Sequence, residues 1–160
     1  MRIDVIAVGR AKRGPAQDLF ATYAERIERI GPALGFRSFT LTEIADARAA
    51  SRSERQSREA EAIVASMPRG ATMFALDERG DALSSQEFAR LLATQRDRGA
   101  PSSALVIGGP DGLAEDLRQK AVRVLSFGRQ TWPHLLIRAM LAEQVYRSLT
   151  IIGRHPYHRD

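Results

Sequence analysis

Ser103-Ala-Leu-Val-Ile107 runs straight into Gly108-Gly-Pro-Asp-Gly112. The first five residues are too short an apolar run for a helix and are closed off by glycine and proline, the pattern of a buried strand. Leu113–Ala121 then reads as a short helix. Strand, glycine turn and helix together form the repeating unit of an α/β domain, and the same alternation extends in both directions. Upstream, Ser84-Ser-Gln-Glu87 is a capping box opening a helix that buries Phe88, Leu91 and Leu92. Thr72–Leu76 is a short apolar strand closed by Asp77-Glu-Arg-Gly80. Residues 51–67 read as an Arg/Glu-rich helix with Ala60, Ile63, Val64 and Met67 on its buried side, and Phe36–Ile44 alternates as a strand. Pro15 suits the first turn of a helix reaching Ile30, with Leu19, Phe20, Tyr23, Ile27 and Ile30 on one face and Gly31-Pro32 as its stop. Residues 2–8 begin the chain as a strand. Downstream, Val122–Phe127 is a fifth strand, and Pro133 starts a last helix to about Leu149 whose apolar stripe is Leu135, Leu136, Ala139, Met140 and Ala142. The expected architecture is a mostly parallel sheet flanked by helices, in a single domain over residues 1–160.

Composition narrows the chemistry. The 160 residues contain no cysteine, which excludes disulfides, zinc-thiolate sites and thiol nucleophiles. No apolar run approaches the ~20 residues of a membrane span. The first stretch, Met1-Arg-Ile-Asp-Val-Ile-Ala-Val8, carries charge and no cleavage pattern, so it is not read as a secretory signal. A cytoplasmic protein without membrane association is expected. The net charge of +5 favours an acidic partner, nucleic acid above all. Of the 24 basic residues only Lys12 and Lys120 are lysines, a skew that an arginine-preferring genome also produces. Where the charges sit therefore matters more than how many there are.

Two regions carry candidate chemistry. In open α/β sheets, ligands gather at the carboxyl ends of strands. Leu76, the Gly108–Gly112 turn and residues 126–131 all fall at such ends. A pocket built there offers backbone hydrogen bonds and apolar walls but no carboxylate cluster, which suits an adenosine-like ligand and suits a metal or polyphosphate poorly. Neither this turn nor Gly9-Arg-Ala-Lys-Arg-Gly14 is the dinucleotide fingerprint G-x-G-x-x-G. The second region is the C-terminus, where all three histidines, the only tryptophan and arginines 129, 138, 147, 154 and 159 are concentrated. On the last helix, His134 and Arg138 are four apart on one face, and Glu143 and Arg147 pair on another. In His155-Pro-Tyr-His-Arg159, Tyr157 suits stacking on a base and Arg159 suits phosphate. Proline between the histidines argues against a metal pair.

Taken together and in this order, Ile107-Gly-Gly-Pro-Asp-Gly112, Leu125-Ser-Phe127, Thr131-Trp-Pro-His134, Arg138, Glu143-Gln-Val-Tyr-Arg147 and His155-Pro-Tyr-His-Arg159 closely resemble the RlmH family of SPOUT-class methyltransferases. Its members methylate N3 of a pseudouridine in large-subunit (23S) ribosomal RNA. The resemblance spans the whole chain. It implies a SPOUT-type α/β fold whose C-terminal part threads a trefoil knot, an exception to the rule that chains do not knot. It also implies S-adenosylmethionine as methyl donor, a homodimer, and ribosomal RNA or the assembled ribosome as partner. By position, Leu76, Gly108, Gly109, Ser126, Phe127, Gly128, Arg129, Gln130 and Thr131 would hold the donor. His134, Arg138 and His155 would face the substrate, and Arg147, Tyr157, His158 and Arg159 would act in catalysis, with no metal. The alternative reading is a non-catalytic ribosome-binding factor that retains the fold.

Overall fold

The computed structural model describes residues 1–155, so the expectations for Tyr157, His158 and Arg159 lie outside the described residues. Along the chain it contains β1 (Arg2–Val8), α1 (Pro15–Ile30), a 3-10 turn (Pro32–Leu34), β2 (Ser38–Ile44), α2 (Arg52–Ser66), β3 (Thr72–Ala82), α3 (Ser85–Asp97), β4 (Ser102–Ile107), α4 (Glu115–Lys120), β5 (Arg123–Ser126) and α5 (His134–Ile152). The strands form one sheet in the order β2-β1-β4-β3-β5, with every pairing parallel. All five carboxyl ends therefore emerge along one edge.

Helices cover both faces, as an all-parallel sheet requires. Period-2 alternation divides β1 between them. Ile3, Val5 and Ala7 join Leu105, Phe74 and the buried sides of α1, α3 and α5. Ile6 and Val8 join Ala104, Val106, Ile63 of α2 and Leu117 of α4. Each such large side chain, sealed from water, contributes about 1.5–3 kcal/mol. Asp4 interrupts the apolar run of β1 and is only 3% exposed. It is tolerated because Thr40 Oγ1 donates to it at 2.8 Å, Arg2 Nη2 donates at 2.7 Å, and the Ser102 hydroxyl donates to its other oxygen.

Several sequence expectations need correction. Leu19 and Val64 are 43% and 51% exposed, outside the cores of their helices. On α5 the buried set is Arg138, Ala139, Leu141, Ala142, Val145, Tyr146, Ser148, Leu149 and Thr150, while Leu135, Leu136 and Met140 are only half-buried. β3 does not stop at Leu76. It resumes beside β5, and both Leu76 and Asp81 register with Leu125, so residues 77–80 bulge out of the ladder. Gly80 makes that crossing possible, because a Cβ there would lie 2.7 Å from the Val124 carbonyl carbon. Among the described residues, no helix is long and apolar enough to cross a membrane.

Candidate functional site

A cleft of about 440 Å³ opens at the carboxyl edge of the sheet, where β3, β4 and β5 end. Leu76, Ile107, Leu113, Leu125, Phe127 and Ile137 supply its apolar walls. Residues of the turns 108–112 and 127–131, Arg129 excepted, complete the lining. Of the residues expected to hold a donor, Leu76, Gly108, Gly109, Phe127, Gly128, Gln130 and Thr131 line this cleft, together with His134. Ser126 stands one step back. Its hydroxyl accepts from the Gly128 N–H at 3.0 Å and lies 2.9 Å from the Gly128 carbonyl and 3.2 Å from the Glu78 carbonyl, where the β5 turn meets the bulge of β3. Arg129 is exposed and is not part of the lining.

The glycines divide by what surrounds them. A Cβ on Gly108 would come within 2.9 Å of Gly112 and Leu113 main chain, and one on Gly109 within 2.9 Å of the Val8 side chain, so both serve tight chain packing. Gly112, with φ +77°, has nothing within 4 Å of its missing Cβ, and Gly128, with φ +106°, meets only Gln130 Oε1 at 3.8 Å. Both leave backbone that a ligand can approach. Apolar walls with accessible main-chain donors and acceptors fit a flat heteroaromatic group read along its edges. The donor set fits an adenosyl sulfonium compound in the same way. Among the described residues no cluster of three His, Cys, Asp or Glu could hold a metal.

The charged side chains around the cleft are mostly spent on fixing it. Asp77, 7% exposed at its side chain, accepts from Arg79 Nε at 2.9 Å and from Arg118 Nη1 at 2.8 Å. Asp111 is clamped from α2: Arg55 Nε and Nη2 reach its carboxylate at 2.6 and 3.2 Å, and Arg52 Nη2 and Gln56 Nε2 each reach its carbonyl at 2.8 Å. The hydrogen bonds from Arg55 hold the Asp111 carboxyl below its ordinary pKa. Glu59 is 5% exposed behind the same turn and accepts from the Ala47 N–H at 3.0 Å. Burial pushes its pKa up, and nearby Asp46 and Asp111 add to the rise.

Arg138 departs from the sequence expectation. It does not face outward beside His134 but is buried, 1% exposed at its side chain. Nη1 donates to Glu43 Oε1 at 2.7 Å, and Nη2 reaches the carbonyls of Val8 and Gly9 at 2.8 Å each. Burial lowers its pKa, opposed by Glu43. Its guanidinium ties the end of β1 to α5 and is unavailable to a substrate. Arg147 is part-exposed and donates to Glu143 Oε1 through Nε at 2.9 Å and Nη2 at 2.5 Å, as their spacing predicts. His155 is exposed at the end of α5, where Arg154 turns the chain with φ 52° and the His155 N–H donates to the Thr150 carbonyl at 2.8 Å.

Sequence reasoning missed Glu78, Arg79, Trp132 and Arg52, all of which line the cleft. Glu78 and Trp132 adjoin motifs already in view, so their neighbours were the available signal. Nothing local signals Arg52, because it arrives from a helix on the other face of the sheet.

Comparison with known proteins agrees with this geometry. A family model described as "Predicted SPOUT methyltransferase" matches residues 1–158. Ribosomal RNA large subunit methyltransferase H of Bradyrhizobium diazoefficiens is 49% identical over 159 residues, covering 99% of each chain. The protein of the same name from Rhodopseudomonas palustris strain BisA53 is 48% identical over 159 residues, again 99% of each. That from Allorhizobium ampelinum is 46% identical over 160 residues, the whole of both chains.

Proposed function

Because the chain belongs to the SPOUT methyltransferase family, we propose that it methylates N3 of a pseudouridine in large-subunit (23S) ribosomal RNA, using S-adenosylmethionine, on the assembled ribosome in the cytoplasm. The observation that carries this reading is the cleft at three strand ends, apolar in its walls and with approachable main chain at Gly112 and Gly128. S-adenosylmethionine bound there would supply a methyl group already activated as a sulfonium.

The work left to the protein is placement, charge stabilisation and removal of one proton. The turns 108–112 and 126–131 would hold the donor's base edges and fix the direction in which its methyl points. Placement of this kind accounts for ~7–11 kcal/mol in well-oriented systems. The imide N3 lies between two carbonyls and gains negative charge as its proton leaves, and Arg147, oriented by Glu143 and outside the lining of its own subunit's cleft, would stabilise that charge at the cleft of the paired subunit. His134 at the cleft and the tail residues His155, Tyr157, His158 and Arg159 would meet the acceptor, Tyr157 by stacking and His158 as proton acceptor.

In this proposal the tail acts on the cleft of a paired subunit, and the chain between β5 and α5 threads a trefoil knot. The half-buried apolar residues Leu135, Leu136 and Met140 on α5, lying outside the core, support a dimer partner on that side. A second reading, a ribosome-binding factor without catalysis, finds no specific support, since the cleft is open. The test is incubation with labelled donor and large ribosomal subunits, followed by mapping of the modified base. Label at N3 of a single pseudouridine is expected, and no transfer, or transfer to another atom, would overturn the proposal.

A further inference from the structure

The loop between β1 and α1 carries three basic side chains in four residues, Arg10, Lys12 and Arg13, and all three are exposed. Among the described residues no carboxylate lies within ion-pair distance of any of them. Of the acidic groups on the same edge, Glu43, Asp77 and Asp111 are each held by an arginine from within the fold, while among the described residues Asp46 beside Gly9 and Glu78 in the cleft lining stand in no ion pair. Exposed Arg48 and Arg129 join the three loop cations from the loops after β2 and β5, so that positive charge on this edge outweighs the two carboxylates Asp46 and Glu78.

The start of the loop is tied down at Gly9 and Ala11. Gly9 adopts φ +93° and donates to the Ile44 carbonyl at 2.7 Å. Its own carbonyl accepts from buried Arg138, and the Ala11 N–H donates to Glu43 Oε1 at 2.8 Å. A Cβ on Gly9 would lie 3.2 Å from Nε2 of His134, which lines the cleft. The buried Arg138 guanidinium and its partner Glu43 therefore hold the start of a basic loop beside the cleft.

We propose that Arg10, Lys12 and Arg13 form a docking surface for the phosphate backbone of the RNA substrate, held in register with the cleft by the Arg138–Glu43 pair. The inference rests on the methyl-transfer reading for the identity of the RNA. It commits to phosphate because unpaired, exposed cations on a short loop offer charge with no apolar contact for a protein partner. Each phosphate neutralised releases counterions and steepens the salt dependence of binding.

The test titrates purified large ribosomal subunits, and separately protein-free 23S RNA transcript, with wild type and with R10E/K12E/R13E over about 50–200 mM salt. The neutral variant R10Q/K12Q/R13Q serves as a milder form, and R37E/R69E/R98E, altered at the opposite edge of the sheet, controls for net charge. The triple reversal is expected to weaken binding to both probes at least about tenfold and to lower the log–log salt slope by about 0.7–0.9 for each phosphate that is no longer neutralised. S-adenosylhomocysteine binding, measured by calorimetry, should stay unchanged. Unchanged affinity, an effect no larger than that of R37E/R69E/R98E, or weakened binding to subunits with an unaltered salt slope and intact transcript binding would overturn the proposal; the last would mean that the loop touches ribosomal protein. Failure of wild type to bind S-adenosylhomocysteine would count against the methyl-transfer reading, while the docking surface would still be judged by the two RNA titrations.

Discussion

Arg138 and Glu43, 95 residues apart, meet at 2.7 Å with the arginine side chain 1% exposed and the glutamate side chain 29% exposed. The asymmetry matters, because a carboxylate left alone here can recover water whereas the guanidinium cannot. Glu43→Ala is expected to destabilise the fold by about 3 kcal/mol, since it strands a buried charge. The double variant E43A/R138M should be no less stable than E43A alone. Chemical denaturation decides the matter, and a double variant whose loss equals the sum of both single losses would show that the pair is not coupled.

Asp111 and the side chains that clamp it lead to a prediction about the donor. Arg55 touches the carboxylate of the turn and does not line the cleft, so it is a positioning residue. Arg55→Ala should weaken S-adenosylhomocysteine binding by roughly threefold to tenfold, the cost of ordering a loop residue that is otherwise preset. Arg55→Lys, which keeps a single hydrogen bond to the carboxylate, should fall between. The donor KM should rise while kcat at saturating donor stays unchanged; a fall in kcat alone would contradict this assignment.

Two buried carboxyls should give opposite pH signatures. At Asp4, burial works to raise the pKa, but hydrogen bonds from Ser102, Thr40 and Arg2 outweigh it, and the net shift is downward. Its contribution to stability is therefore present above the unfolded value and is lost as pH falls through the folded one. The gap between wild type and Asp4→Asn should close below about pH 4. At Glu59, burial and the neighbouring acids raise the pKa. The carboxylate then costs stability as pH rises past the unfolded value of about 4.5, so Glu59→Gln should gain on wild type as pH rises from there. Melts from about pH 2.5 to about pH 7 check both, and parallel curves would contradict the two shifts.

The capping box at α3 is a local device with a local cost. The Glu87 N–H donates to Ser84 Oγ at 3.2 Å, and the Ser84 N–H donates to Glu87 Oε2 at 2.7 Å. Ser84→Ala should cost about 1 kcal/mol in denaturation, and Ser84→Asp should restore most of it.

Signals confined to neighbouring residues were legible in advance. Pro15 and Gly31-Pro32 bracket α1 at Pro15–Ile30, and Ser84 with Glu87 marks the start of α3. A parallel sheet could also be inferred from alternation, and with it the meeting of Leu76, Gly108 and Phe127 at one edge. What depended on distant partners was not legible. The continuation of β3 past Leu76 exists only because Asp81 and Ala82 pair with β5. The buried face of α5 could not be read from periodicity, because apolar residues surround that helix on most sides. The inward turn of Arg138 is set by carbonyls at Val8 and Gly9, 130 and 129 positions away.

A crystal structure of the protein with S-adenosylhomocysteine tests the central claim most directly. The adenine is expected against Leu76, Ile107 and Phe127, with its edges bonded to main chain of the 108–112 and 126–131 turns. A ligand bound elsewhere, or held in the cleft by side-chain charges with those turns untouched, would contradict the account.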